Sequence, residues 1–188
     1  VALQTHLWLI RHAPVSGPLG MLHDLEAPAD ISDVAALSRL RTQLPADRSA
    51  ITSSARRAQE TARALGLEPR VEPAFNEQDF GEWTGRTHDE LRRAYGAVYD
   101  DFWRAPASSR PPGGETFVEQ MARVRGAIDA LPAGDVIVVA HGGTIRAALA
   151  IALDIAAEAA LAFVIDPWSL NRLDRLDGGW RIVAVNRV

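Results

Sequence analysis

Residues 7–14 read Leu7-Trp8-Leu9-Ile10-Arg11-His12-Ala13-Pro14, an apolar run that stops on a cation and an imidazole. Such a run reads as a buried strand, and open α/β sheets hold their ligand sites just outside the carboxyl ends of their strands. Arg11 and His12 therefore fall where chemistry is expected. A second run of the same design, Val136-Ile137-Val138-Val139-Ala140, leads into His141-Gly142-Gly143-Thr144 and then a helical stretch from Ile145 to Leu153. Its apolar residues are continuous rather than alternating, as in a central strand covered on both faces. Gly142 and Gly143 let a ligand approach the backbone, and the free N–H groups of the helix that follows favour an anion there.

Between these two runs lies a third, Ala50-Ile51-Thr52-Ser53-Ser54, running into a helix from Ala55 to Leu65. Ser53 or Ser54 is placed as the helix cap, and the first turn then carries Arg56 and Arg57. Arginine opposes the dipole at a helix start, so these residues need another reason to be there, such as an anion held at that end. The plain alternative for Arg56, Arg57 and Arg63 is a solvated basic face.

At these residues the chain resembles the histidine phosphatase superfamily, the phosphoglycerate mutase-like proteins. The family's Arg-His-Gly signature is met by Arg11 and His12, with Ala13 in place of glycine. Its Thr-Ser-Pro-Leu-x-Arg-Ala segment is met by Thr52 to Ala58, which implies that Arg57 binds phosphate and that Arg56 takes the variable position. Its acid motif is similar to Phe75-Asn76-Glu77-Gln78-Asp79-Phe80-Gly81-Glu82-Trp83-Thr84-Gly85, with Glu77 as the carboxylate. Pro112-Gly113-Gly114-Glu115-Thr116 and His141-Gly142-Gly143-Thr144-Ile145-Arg146 resemble its remaining motifs. The resemblance implies a three-layer α/β/α sandwich with a mostly parallel central sheet. Residues 1–188 then form a single domain, with a helical insertion at about 86–114 bordering the active site.

The chemistry of these residue types agrees with that implication. A neutral imidazole can attack phosphorus once cations draw charge from the phosphate oxygens. Arg11 and Arg57 supply guanidinium forks, and His141 can donate one further hydrogen bond. His12 would become a phosphohistidine. Glu77 is placed to protonate the leaving alkoxide and then to activate water, and a bound dianion beside a carboxyl raises its proton affinity. Arg146 is a candidate for the remote end of the substrate, with a structural salt bridge as the alternative. Trp83 and Phe80 are read as core packing and Glu115 as a helix-start acid, while His6, His23 and His88 match no motif. Mutases and many relatives carry Ser or Thr and Asn where Val15 and Pro18 stand, so some phosphate contacts differ, with Ser16 or a backbone N–H as substitutes.

Composition fits an ordinary enzyme. The 188 residues are 47% hydrophobic, enough for one substantial core, and the absence of cysteine excludes a disulfide framework and a thiolate site. A net charge of -4 argues against a general nucleic-acid surface, and the apolar start is too short for a membrane helix. With this composition the resemblance implies a cytoplasmic protein acting on a small-molecule phosphate ester, without metal, cofactor, nucleic acid or membrane as partner and with a homodimer as the candidate assembly. Helices are expected over Ile31–Leu44, Thr87–Trp103 and Thr116–Leu131, a loop over Ala105–Gly114, and later strands over Ala160–Ile165, Trp168–Asp174 and Trp180–Asn186. The last two join in a hairpin around Asp177-Gly178-Gly179.

The segment Gly17 to Pro28 is similar to the loop of α-ribazole phosphatases, which makes α-ribazole 5'-phosphate the best single substrate expectation. Three alternatives stay open: phosphoglycerate mutase-type transfer, a phosphoprotein-binding module with weak turnover, and a metal hydrolase using His12, His141 and Glu77 as ligands.

Overall fold

In the computed structural model, which describes residues 4–188, the run at Leu7 lies within β1 (Thr5–Arg11) and the run at Val136 within β4 (Gly134–Ala140). The two pair in parallel, with Arg11 opposite Ala140, so His12 and His141 leave the sheet side by side. Strand β2 (Ser49–Thr52) lies on the other side of β4 and β3 (Arg70–Val71) outside it, both parallel. Strands β5 (Leu170–Leu176) and β6 (Gly179–Arg187) complete the sheet as an antiparallel hairpin against β1. The order β3-β2-β4-β1-β5-β6 makes the sheet parallel through its first four strands, with an antiparallel edge.

The continuous apolar runs serve two cores at once. Leu7, Leu9, Val136, Val138 and Ala140 pack with α5 (Phe117–Asp129), α6 (Gly142–Leu153) and α7 (Ala157–Ala160) on one face. Ile10, Ile137 and Val139 pack with α1 (Val34–Gln43) and α2 (Arg56–Ala64) on the other. Alternate residues of a strand point to opposite faces, so a layer of helices on each side requires that every position be apolar. This is the three-layer α/β/α arrangement.

Several boundaries move, each for a physical reason. The first helix begins at Val34 rather than Ile31, because the Asp33 carboxylate caps the N–H of Ala36. The stretch Thr87–Trp103 is two helices, α3 (His88–Tyr95) and α4 (Ala97–Arg104), broken where Gly96 turns to φ +48°. Thr87 and Thr116 are N-caps with full capping boxes to Glu90 and Glu119.

No strand forms over Ala160–Ile165, which is instead the end of α7 and an irregular segment. The backbone oxygens there are already engaged, with Phe163 accepting from Arg146 Nε and Ile165 from Arg11. Strand β5 also starts later, at Leu170, because Trp168 sits at φ +63°. Among the described residues no helix is long and apolar enough to cross a membrane. Val1, Ala2 and Leu3 of the expected 1–188 domain lie outside the described residues.

Candidate active site

The strand ends open into a cavity of about 570 Å³, and Arg11, His12, Arg57, Glu77 and Arg146 line it. His141 and Gly142 are not on its wall; Gly143 is. His12 is 5% exposed, and its Nδ1 lies 2.6 Å from the carbonyl oxygen of Ala13. Only a protonated Nδ1 can donate to a carbonyl, so that contact fixes the tautomer and leaves a lone pair on Nε2. Arg57 Nε donates to that lone pair at 3.3 Å. Ala13 takes the glycine position without strain, since it is not among the residues at positive φ.

His141 is fully buried behind these groups, its ring centroid 5.0 Å from that of His12. The signal that sequence reading missed here is Ser53. Its hydroxyl oxygen does not cap α2, whose N-cap is Ala55. It accepts from the N–H of Ala55 at 3.3 Å and lies 2.8 Å from His141 Nε2. The hydroxyl can donate to Nε2 or accept from it, and the tautomer in which it donates puts the imidazole proton on Nδ1. Nδ1 is 3.5 Å from Arg57 Nη2, so in that tautomer two N–H donors face the same space, as they do where an anion is to be received.

Arg57 is held from two of its nitrogens, Nε on His12 Nε2 and Nη1 donating to the backbone oxygen of Asp24 at 2.6 Å. Arg56, by contrast, is exposed and pairs with Glu60 at 2.7 Å, and Arg63 bonds Gln59 on the same solvated face. Among the described residues Arg146 makes no salt bridge: its Nε donates to the Phe163 oxygen at 2.8 Å, while its head lies by Gly142 and the cavity. Burial lowers the proton affinity of Arg11 and of Arg57, with the Glu77 carboxylate opposing the change in both.

Glu77 reaches the site across Gly143. A Cβ at Gly143 would stand 2.2 Å from Glu77 Oε1, so only glycine admits the carboxylate. The helix-start N–H expected to meet a ligand is taken by this side chain, with Gly143 N donating to Glu77 Oε2 at 3.2 Å. Gln78 N at 3.1 Å and Gln120 Nε2 at 3.2 Å complete the set of donors. Gln120, on α5, carried no sequence signal, and neither did Arg123.

Arg123 gathers the acid loop by donating to the backbone oxygens of Ala74, Asn76 and Glu77 at 2.8, 2.9 and 3.0 Å. Glu115 stands at the helix start, one residue before the N-cap Thr116, and its carboxylate pairs with Arg123. Trp83 is core, whereas Phe80 also lines the cavity. So do Val15, His23 and His88, while Pro18 and Ser16 do not. His6 pairs with Asp174 at 3.0 Å, away from the cavity. Among the described residues no three His, Asp or Glu side chains are grouped to hold a metal ion, so His12, His141 and Glu77 do not form the alternative ligand set.

Burial holds the proton affinity of His12 well below the ordinary value of 6.5, with His141 and Arg57 adding to the effect. Burial does the same at His141, reinforced by Arg57, Arg11 and Arg123. Both rings are neutral when folded, whereas in the unfolded chain they protonate near 6.5. The unfolded state thus binds more protons below that value. Stability is complete above it and falls as pH drops through it, by up to about 1.4 kcal/mol per pH unit for each ring. Melting temperature should decline from about pH 7.5 to about pH 5.5, and more gently in His12→Asn; equal slopes in the two proteins would contradict these assignments.

The model of the histidine phosphatase superfamily (branch 1) matches residues 7–188. In structure the chain is similar to an α-ribazole phosphatase from Shigella flexneri, with a TM-score of 0.84 and 25% identity over 96% of each chain. It is also similar to a mycobacterial glucosyl-3-phosphoglycerate phosphatase, with a TM-score of 0.83 and 26% identity over 98% of this chain and 100% of that one. Among curated proteins, a 2,3-bisphosphoglycerate-dependent phosphoglycerate mutase of Methylorubrum extorquens is 35% identical over 111 residues, 52% of each chain. The matched stretch thus spans about half the length of that relative. A family match over nearly the whole length, on a fold that gathers Arg11, His12, Arg57, Glu77 and Arg146 at one cavity, shows that the chain belongs to the histidine phosphatase superfamily, branch 1.

Proposed function

We propose that this chain hydrolyses a small phosphate monoester through a phosphohistidine on His12. The observation that carries the reading is the 2.6 Å contact from His12 Nδ1 to the Ala13 oxygen, which leaves Nε2 as a lone-pair nucleophile among the site arginines. Arg57 Nε donates to that lone pair at 3.3 Å, and an arriving phosphate draws the guanidinium onto its own oxygens and frees the lone pair. Nε2 then attacks phosphorus as the ester P–O bond breaks, and the Glu77 carboxyl gives its proton to the departing oxygen. In the second half Glu77 takes a proton from water, the water oxygen attacks phosphorus, the P–N bond breaks and inorganic phosphate leaves. Arg11, Arg57 and the His141 Nδ1–H stabilise the charge on the phosphoryl oxygens in both steps.

Likeness to the Shigella flexneri α-ribazole phosphatase over 96% of each chain supports α-ribazole 5'-phosphate as a substrate to test first. The 35% identity to a phosphoglycerate mutase carries a second reading, in which a sugar-acid hydroxyl rather than water receives the phosphoryl group.

The test is a leaving-group comparison in the presence of chelator. In kcat/KM, which reports phosphorylation of His12 alone, Glu77→Gln should slow an alkyl phosphate by about 10²- to 10⁴-fold and a 4-nitrophenyl ester far less, because only a poor leaving group needs the proton. Equal slowing of the two would remove the acid role. Product analysis decides between hydrolysis and transfer: phosphate released to water supports the phosphatase, and quantitative isomerisation of a phosphoglycerate the mutase.

A further inference from the structure

The cavity is charged at one end only. Arg11, Arg57 and Arg146 all belong to the phosphate end, and no other arginine lines it. His23 and Glu77 stand with Arg57, and the wall away from them includes Met21, Leu22, Phe80, Phe102 and Trp103, with His88 as the titratable member among these. His88 is itself engaged, its Nδ1 lying 2.7 Å from the Tyr99 hydroxyl. A substrate with a second anionic group at this end would bury that charge without a counter-ion, which is strongly unfavourable.

The wall is packed from behind and partly uncovered. Trp83, Leu91, Tyr99 and Phe102 form a small core of their own under α3 and α4, separate from the two cores that flank the sheet. Trp103 is fixed edge-on by Phe102 at 5.0 Å, His88 at 5.7 Å and Tyr99 at 6.2 Å between ring centroids, yet it is 43% exposed. An indole held in one orientation and left open to solvent at a cavity mouth gains by being covered with a flat apolar group. The volume of about 570 Å³ also lies in the range of sites for organic ligands rather than for phosphate alone.

We infer that this wall is a leaving-group subsite for an aryl or heteroaryl alcohol, so that the preferred substrates are phosphate esters carrying a flat aromatic group and no second anion. The inference rests on the phosphatase reading for the phosphate end.

It is tested with 2-naphthylmethyl phosphate against glycerol 1-phosphate, both esters of primary alkyl alcohols, so that leaving-group acidity is held nearly constant. The native chain should prefer the naphthyl ester by about tenfold or more in kcat/KM, expressed in KM, and Trp103→Ala should cut that ratio about tenfold while Trp103→Phe retains most of it. Equal kcat/KM for the two esters, or a ratio unchanged in Trp103→Ala, overturns the subsite. Loss of both activities in parallel also overturns it, as the mark of a structural role. Should neither ester turn over, the phosphatase reading fails instead, and the subsite is decided by calorimetry with 2-naphthylmethyl phosphonate. Tighter binding to the native chain than to Trp103→Ala then upholds it, and equal affinity overturns it.

Discussion

His12→Ala is expected to remove ester hydrolysis by about 10⁴-fold or more in kcat/KM, with no loss of melting temperature beyond that of an ordinary core truncation. The size follows from the role: without Nε2 no covalent intermediate forms, and direct attack by water must cross an anionic phosphate that the arginines only partly neutralise. The fold should survive because the ring is small, neutral and bonded to its neighbour's carbonyl, not a keystone of either core. Phosphate release against melting temperature separates the two effects. Activity within about tenfold of the native chain would assign the nucleophile elsewhere.

The second large effect belongs to Arg57. Arg57→Ala should cost about 10³-fold in kcat, since it removes a preorganised fork at the position where phosphoryl charge develops. Arg57→Lys should recover little, because a point charge cannot hold His12 and the Asp24 oxygen from two nitrogens and offer a third to the phosphate at once. A second signature distinguishes this from loss of packing. Arg57 is one of the charges that keep His12 neutral, so its removal raises the proton affinity of His12. The acid limb of the pH–rate profile for the residual activity should move to higher pH, because His12 then protonates sooner as pH falls. A limb that stays in place, or moves to lower pH, would show that Arg57 does not act on His12.

The parts of the site that were legible in sequence are those where local pattern and chemistry coincide. Apolar runs that stop on Arg11-His12 and on His141 could only be central strands feeding one sheet edge, and the parallel register of β1 and β4 brings the two rings together. Arg57 was separable from Arg56 only through the family motif, because both sit in the first turn of the same helix; burial of one and exposure of the other is a tertiary fact.

What could not be read depends on contacts between distant residues. Ser53 looks like a helix cap in sequence, yet it acts as the partner of a histidine 88 positions away. Gln120 and Arg123 are ordinary helix residues until α5 packs beneath the acid loop. Ala160–Ile165 has the composition of a strand, but the oxygens of Phe163 and Ile165 are held by Arg146 and Arg11. The apolar pattern of Thr87–Trp103 runs through Gly96 without a gap, and only the left-handed turn there reveals two helices.

Hydrolysis by the proposed route requires a P–N bond at His12. Rapid mixing of the protein with a phosphate monoester, an alkaline quench and peptide mapping should find a phosphoryl group on the peptide containing His12, lost in acid and kept in base. Phosphate release with no adduct at any time, or with an adduct on another side chain, would contradict it.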